Sequence, residues 1–391
     1  MKKIYFSVNG VGLGHAGRCI SIAREILQKM DVEIVFSTYG KAVSVLRNMG
    51  FRTYSSVPIM WYEDSRGGLD YRATMLHSPL IFKKMWIHFR NEYTIIRKEQ
   101  PDIIVTDSRY TTIPASASFP APRLYITNQP GIILPENNGR KNVFAERMTR
   151  WMNFNLLKGQ DHIFLPDFPY PDSISILNMK FDDAPDEFKK KVSFEGPVYP
   201  LDPEYVLSSQ IEELKDKYHL EDRFIYVAIS GPGNSPGSVK NTLMEILKDY
   251  KIQSLMTTGD MSRTRIWHYG GITLLDGWLW ERQVILSAAE VIISRAGLST
   301  LSEIAAYGKK TLLIPQPNQP EQWSNAMGAK KLGFARVLPQ DEVNRDNLFT
   351  VLDEVMESKE MEKAAYRVRK MAREYNGRKR IARKIMGYLD T

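Results

Sequence analysis

Short apolar runs alternate with stretches of helical periodicity along the whole chain. IYFSV (4–8), VEIVF (32–36), DIIVTD (102–107) and RLYIT (123–127) form one series; FIYVAIS (224–230), IQSLMTT (252–258), GITLLD (271–276), VIIS (291–294) and TLLIP (311–315) form a second. Runs of this length, each followed by a loop and a helical pattern, predict parallel strands covered on both faces, and hence an α/β fold. The helix after the first run is the best specified. Cys19, Ile22, Ala23, Ile26, Leu27 and Met30 fall on one stripe that would lie against a sheet.

Between the two series, Phe194-Glu195-Gly196-Pro197-Val198-Tyr199-Pro200-Leu201-Asp202-Pro203 breaks the periodicity with three prolines and a glycine. A domain linker is expected there. The predicted organisation is a Rossmann-like domain over 1–195, a second over 204–370, and a terminal helix, 371–391, packing back on the first, with Glu195 to Pro203 as a hinge. Each half opens as strand, glycine-rich loop and helix: NGVGLGHAGR (9–18) in one, SGPGNSPGS (230–238) in the other. Both loops stand at strand C-terminal ends, where ligands of such sheets bind, so two domains facing a cleft are implied.

Composition narrows the classes. The 391 residues suffice for two cores, and the single cysteine, Cys19, leaves no disulfide framework and no thiolate metal cluster, which fits a reducing compartment. The first apolar run is too short for a secretory h-region, and no run approaches the ~18 apolar residues of a membrane span. A soluble, cytoplasmic protein is expected. Between Tyr366 and Lys384, nine Lys/Arg face one acid, Glu374, so this stretch alone accounts for the net charge of +8. Ile381, Ile385 and Leu389 share one helical face there, so a charged helix packed on a domain is expected rather than a nucleic-acid arm.

The first loop invites two readings. Gly12, Gly14 and Gly17 spell G-x-G-x-x-G, the dinucleotide fingerprint, which requires an acid at the end of the second strand for the ribose hydroxyls. VEIVF ends instead in Ser37-Thr38-Tyr39-Gly40, and no G-K-[ST] is present for a phosphate loop. What remains is a tight turn carrying His15, whose imidazole is suited to taking a proton near neutrality; the alternative is an exposed loop histidine without a role. Asp107 closes the strand DIIVTD on the same sheet edge. It can orient His15 or simply cap the following turn.

The stretch 291–326, VIISRAGLSTLSEIAAYGKKTLLIPQPNQPEQWSNA, reads as strand, Gly turn, helix, strand, loop and helix. Gly297 feeds a helix with Ser299 and Thr300 in its first turn, which presents free N–H groups, hydroxyls and a positive helix end suited to a diphosphate. Glu303, one turn on, can reach a ribose diol. This arrangement resembles the donor-binding half of GT-B nucleotide-sugar glycosyltransferases, particularly the peptidoglycan lipid-intermediate N-acetylglucosaminyltransferases and the UDP-glycosyltransferases of lipophilic acceptors.

Aligned on Gly297, the plant signature H-C-G-W-N-S-x-x-E becomes Arg295-Ala296-Gly297-Leu298-Ser299-Thr300-Leu301-Ser302-Glu303. The resemblance then implies that Thr300 faces the phosphate, Glu303 binds the ribose, and Glu321 and Gln322 hold the donor sugar's hydroxyls. Arg295 stands where the plant enzymes carry His, and a guanidinium there suits a diphosphate. By the same resemblance the loop with Gly231 and Ser235 touches the diphosphate, and Gly277 and Trp278 contact the uracil. Gly14-His15 matches the family's Gly-His base, and Asp107 matches its orienting acid.

The implied reaction is a single displacement at the anomeric carbon, with inversion. His15 removes the acceptor proton, and the N–H groups near Gly297 to Thr300 neutralise the departing diphosphate. No Asp-x-Asp occurs in the chain, so no essential metal and no cofactor is expected, the UDP-sugar being a substrate. The acceptor side takes in Gly12, Gly14, Trp61 and Trp86. Leu80-Ile81-Phe82-Lys83-Lys84-Met85-Trp86-Ile87-His88-Phe89-Arg90 sets aromatics beside cations, as either a peripheral contact with an anionic membrane that admits a lipid-linked acceptor or a core-packed amphipathic helix with a solvated basic face. Two rival functions share the scaffold: a UDP-sugar 2-epimerase, for which the loops supply few carboxylates and histidines, and a non-catalytic sugar-nucleotide-binding protein.

Overall fold

The computed structural model describes residues 1–59, 78–134, 143–229, 235–259, 264–277, 279 and 281–390. Two compact units divide the chain. One holds the N-terminal part through Pro200 together with Tyr375–Thr391, and the other holds Leu201–Glu374.

The first unit is built on a parallel sheet of β1 (Lys2–Val8), β2 (Val32–Thr38), β3 (Arg52–Ser55), β4 (Ile103–Asp107), β5 (Arg123–Ile126), β6 (His162–Leu165) and β7 (Val192–Phe194), in the order β3-β2-β1-β4-β5-β6-β7. Ile4, Tyr5, Phe6, Val35, Phe36, Ile104, Val105, Leu124 and Tyr125 are fully buried, as expected for strands covered on both faces. The order reverses between β1 and β4. Val8 pairs with Asp107 at that point, so the loop after β1 and the end of β4 emerge side by side. Such a switch point is where open α/β sheets receive ligands.

Helix α1 (Gly14–Leu27) follows β1, α2 (Ser78–Glu99) precedes β4, and α3 (Val143–Leu157) precedes β6. On α1, Cys19, Ile22, Ala23 and Ile26 are buried, whereas Leu27 is exposed and Met30 lies beyond the helix. The opposite side of α1 is covered too, because the C-terminal helix Gly377–Gly387 packs against it and Arg378 pairs with the buried Glu25, Nε to Oε2 3.1 Å.

The segment expected as a hinge is partly built into the first unit. Glu195 is fully buried and paired with Arg380 and Lys384 of the C-terminal helix, and the N–H of Gly196 donates to the Asp167 carbonyl. The basic tail is thus consumed in part by acids of the fold. Gly196 (φ +90°) lies so close to the returning chain that a Cβ would sit 1.9 Å from the Tyr375 carbonyl oxygen.

The second unit contains β8 (Phe224–Ala228), β9 (Gln253–Thr257), β10 (Thr264–Tyr269), β11 (Ile272–Gly277), β12 (Val291–Ser294), β13 (Lys310–Leu313) and β14 (Ala335–Val337), in the order β10-β11-β9-β8-β12-β13-β14. Only the β10–β11 pair is antiparallel. The core clusters on Val227, Leu243, Met256, Ile293, Leu312 and Leu352. The reversal here falls between β8 and β12, so β8 stands where β1 does in the first unit, and the loop after β12 occupies the topological position of the turn after β4. Helices α4 (Arg282–Ala288), α5 (Leu298–Tyr307) and α6 (Pro320–Leu332) flank that point. Among the described residues, no helix is long and apolar enough to cross a membrane.

Candidate active site

In the first unit, the β1–α1 loop is shaped by side-chain and steric constraints that the glycine fingerprint does not capture. Asn9 accepts the Val11 N–H at 3.0 Å and the Tyr39 hydroxyl at 2.6 Å, closing an Asx turn. Gly10 has no room for a side chain, since a Cβ would sit 2.2 Å from the Tyr39 carbonyl oxygen, and Gly12 adopts φ +70°. Gly14 begins α1, and Gly17 meets nothing within 4 Å. The loop therefore needs Gly10 and Gly12, and it delivers His15 in the first turn of α1.

His15 Nδ1 lies 2.7 Å from Asp107 Oδ1. A carboxylate only accepts, so Nδ1 carries the proton and Nε2 is left with its lone pair. Asp107 is fully buried, and its remaining lone pairs are filled by a partner that spacing alone did not select. Arg18 donates from Nε to Oδ2 at 2.8 Å and from Nη2 to Oδ1 at 2.7 Å, and the Cys19 thiol donates to Oδ2 at 3.3 Å. Burial alone would raise the Asp107 pKa, but the charges of Arg18 and His15 outweigh it and hold the carboxyl well below the usual range. Burial and the neighbouring carboxylate push the Cys19 thiol up, so it remains a thiol. His15 keeps about a fifth of its side chain exposed, so the site is one buried anion, one buried cation and one accessible imidazole.

A second buried carboxylate braces this edge. Glu92 of α2 accepts from Tyr5, Ser7, Ser37 and Thr112 at 2.6–3.1 Å and pairs with Arg109 at 2.9 Å, tying β1, β2 and α2 to the turn after β4. Ser108 takes the left-handed conformation (φ +51°), which lets Asp107 and Arg109 serve separate networks. His88 lies under Arg109 with Nε2 donating to the Val57 carbonyl at 2.6 Å; burial, then the Arg109 charge, lowers its pKa to about 4. It is a neutral packing histidine at physiological pH.

In the second unit, α5 starts at the switch point with Gly297 as its N-cap, and Ser299 and Thr300 are half-buried in its first turn. The N–H groups of that turn have no intrahelical acceptor. Three residues on from Thr300, and on the same helix face, Glu303 meets Arg282 of α4, Oε2 to Nε 2.8 Å, while Arg282 Nη2 donates to Thr300 Oγ1 at 3.1 Å. Burial raises the Glu303 pKa, and the Arg282 charge partly offsets it.

Arg295, expected at the diphosphate, directs Nη1 onto the carbonyls of Ile314 and Pro315 at 2.9 and 3.2 Å and is almost fully buried. It braces the loop after β13. Gln322 is likewise engaged: its Oε1 accepts the Gln316 N–H at 2.9 Å and its Nε2 donates to Gln316 Oε1 at 3.2 Å. Glu321, in the first turn of α6, is half-buried, and Asn325 donates to the Ala296 carbonyl at 2.8 Å, joining α6 to the Gly297 turn. The Gly277 carbonyl accepts the Gly259 N–H at 3.0 Å at the end of β11. Trp61, Gly231 and Trp278 lie outside the described residues, and of Ser235 only its place at the start of a helix is described. Among the described residues, no group of three or more His, Cys, Asp or Glu side chains could hold a metal ion.

Helix α2, expected on the acceptor side, is not core-packed along its first turns. Phe82 is 69% and Trp86 61% exposed, beside Lys83, Lys84 and Arg90, whereas Glu92, Ile95 and Ile96 further along are buried. Helix α3 likewise exposes Phe144, Met148, Trp151 and Met152.

Two Rossmann-like units, each with its candidate site at a switch point, make up the GT-B fold, and the matched family domain and the relatives of the chain mark it as a glycosyltransferase. Comparison narrows this further. Residues 281–382 match the glycosyltransferase family 28 C-terminal domain, which takes in Arg282, Gly297 to Glu303 and Gln322. An uncharacterized glycosyltransferase of Methanosarcina acetivorans is 23% identical over 398 residues, covering 98% of this chain and 97% of its own. The UDP-N-acetylglucosamine–N-acetylmuramyl-(pentapeptide) pyrophosphoryl-undecaprenol N-acetylglucosamine transferase of Listeria welshimeri is 23% identical over 376 residues, 92% of each chain. The crystal structure of the kitacinnamycin glycotransferase shares the fold over 99% of this chain and 98% of its own, with TM-score 0.69 and 15% identity.

Proposed function

We propose that this chain is an inverting, metal-independent glycosyltransferase that moves a sugar from a UDP-sugar to an acceptor hydroxyl. The observation that carries the reading is the contact of His15 with Asp107 at 2.7 Å, which orients an accessible imidazole with Nε2 as its free base. Nε2 takes the acceptor proton as the acceptor oxygen bonds to the anomeric carbon; the bond from that carbon to the diphosphate breaks, and UDP leaves with the electron pair. Attack opposite the leaving group inverts the configuration. The half-buried first turn of α5, with Ser299 and Thr300, receives the developing charge without a metal ion. The UDP moiety of the donor is supported by the Listeria welshimeri relative, whose name carries UDP-N-acetylglucosamine.

A panel of nucleotide sugars in thermal-shift measurements tests the donor, since a ligand that binds the folded chain raises its stability by RT ln(1 + [L]/Kd). UDP-sugars are expected to stabilise it, and transfer is expected to proceed at full rate in EDTA. Stabilisation by no UDP-sugar overturns the reading, and loss of rate restored by a divalent ion overturns metal independence.

The exposed Phe82 and Trp86 among Lys83, Lys84 and Arg90 support a peripheral contact with an anionic bilayer and a lipid-linked acceptor. The protein is expected to co-sediment with phosphatidylglycerol-containing vesicles, less so in high salt. Phe82→Ser with Trp86→Ser should abolish this, and equal binding by that variant sinks the membrane contact.

A further inference from the structure

Arg282 matches no motif, yet it touches two of the side chains nominated for the donor, Glu303 and Thr300. Its Nε stands 2.8 Å from Glu303 Oε2, and its Nη2 donates to Thr300 Oγ1 at 3.1 Å. The Arg282–Glu303 pair is close but poorly aligned. Both Nε and Oε2 are buried, and neither achieves hydrogen-bond geometry, so the pair is one of proximity without mutual satisfaction. A guanidinium and a carboxylate in that relation, with 22% and 14% of their side chains exposed, are poised to exchange each other for better-matched partners. A ribose diol offers two donors to the carboxylate, and a phosphate offers bidentate acceptors to the guanidinium.

Position agrees with chemistry. Thr300 lies in the first turn of α5, where the N–H groups point outward, and Arg282 is fixed at the start of α4, so a fixed positive group adjoins a positive helix end. Arg295, the other guanidinium near this turn, is committed to the carbonyls of Ile314 and Pro315. Glu303 alone would repel a diphosphate bound beside it, whereas paired with Arg282 it does not.

We propose that Arg282 is a specificity residue of the donor site, binding the phosphate of the nucleoside diphosphate while Glu303 binds the ribose. This rests on the reading of α5 as the donor site. Arginine at this place would discriminate a nucleoside diphosphate from its nucleoside, because only the former carries the anion that the guanidinium receives.

The test is calorimetric titration of the full chain with UDP and with uridine. Arg282→Met is expected to weaken UDP by about tenfold or more and uridine by less than about threefold, and Arg282→Lys to recover part of the UDP loss by restoring charge without the fork. Adding Glu303→Gln should shrink the Arg282→Met effect on UDP, since the carboxylate left exposed to the diphosphate is then gone. Equal losses for UDP and uridine overturn the proposal and leave Arg282 as a brace for Glu303, and so does no loss for either. Far-ultraviolet circular dichroism of each variant separates binding loss from misfolding, and the lysine variant keeps the test decisive if the methionine one does not fold. A wild-type chain that binds neither ligand overturns the donor reading itself, and the inference with it.

Discussion

Replacing His15 with alanine is expected to lower kcat for sugar transfer by about 10²–10⁴-fold, the range for loss of a positioned general base, with little change in the affinity for UDP. The two readouts separate because His15 belongs to the first unit and the nominated donor residues, Thr300, Glu303 and Arg282, belong to the second. The substitution is also structurally mild. His15 lies in the first turn of α1 with about a fifth of its side chain exposed, and Asp107 keeps Arg18 as its partner when the imidazole is gone. A large drop in kcat at constant Kd for UDP identifies the residue that acts on the acceptor. Turnover within a factor of a few of wild type means that another group takes the proton. Parallel losses of kcat and UDP binding point instead to a global defect, which circular dichroism would reveal.

Much of this fold is legible as pattern. The nine apolar runs all form strands, because each is long enough and central enough to be buried on both faces. The strands that pattern misses are of two kinds. β3, β7 and β14 are three- or four-residue edge strands, and β10 is an edge strand whose Ile266, Trp267 and Tyr269 face solvent; neither setting imposes a continuous apolar run. β6 is missed too, although it is interior and its four residues, HIFL, equal β12 in length.

The site shows the same division. His15 and Asp107 each close a strand-to-loop transition, and parallel-sheet topology brings such ends together without further information. Arg18 was visible in principle as the i+3 neighbour of His15 on α1, but an arginine in a helix ordinarily faces water, and nothing local shows that this one is buried against a carboxylate. Arg282 stands 21 positions before Glu303, in another helix, and only tertiary packing reveals that pair. The glycines of the loop differ in another way. Gly12, Gly14 and Gly17 match by spacing, whereas the residue with no room for a Cβ is Gly10, which is outside the fingerprint and set by the approach of Tyr39.

The second large effect is expected from Asp107→Asn. Asp107 accepts from His15, Arg18 and Cys19, so the amide presents two donors among groups that already donate and removes the negative charge at the centre of the cluster. Arg18, 4% exposed at its side chain, then loses the carboxylate that offsets its desolvation. Breaking a buried pair in this way costs about 3–5 kcal/mol, and chemical denaturation of the variant should show a loss of that order. The rate should fall as well, by about 10²–10⁴-fold, because Nδ1 is no longer held in its protonated form and the Arg18 charge disfavours the imidazolium that forms as the acceptor proton arrives.

Stability and rate can be pulled apart. Adding Arg18→Met to Asp107→Asn removes the buried cation and is expected to recover part of the lost stability, since an apolar or neutral pair does not carry the desolvation of an unmatched charge, while the rate remains low for want of the carboxylate. If the double variant regained both, the low rate of Asp107→Asn would reflect damage to the fold rather than loss of His15 orientation. If the single variant kept wild-type rate and stability, the cluster would be neither a structural anchor nor a catalytic one, and the assignment of His15 as an Asp-oriented base would fall with it.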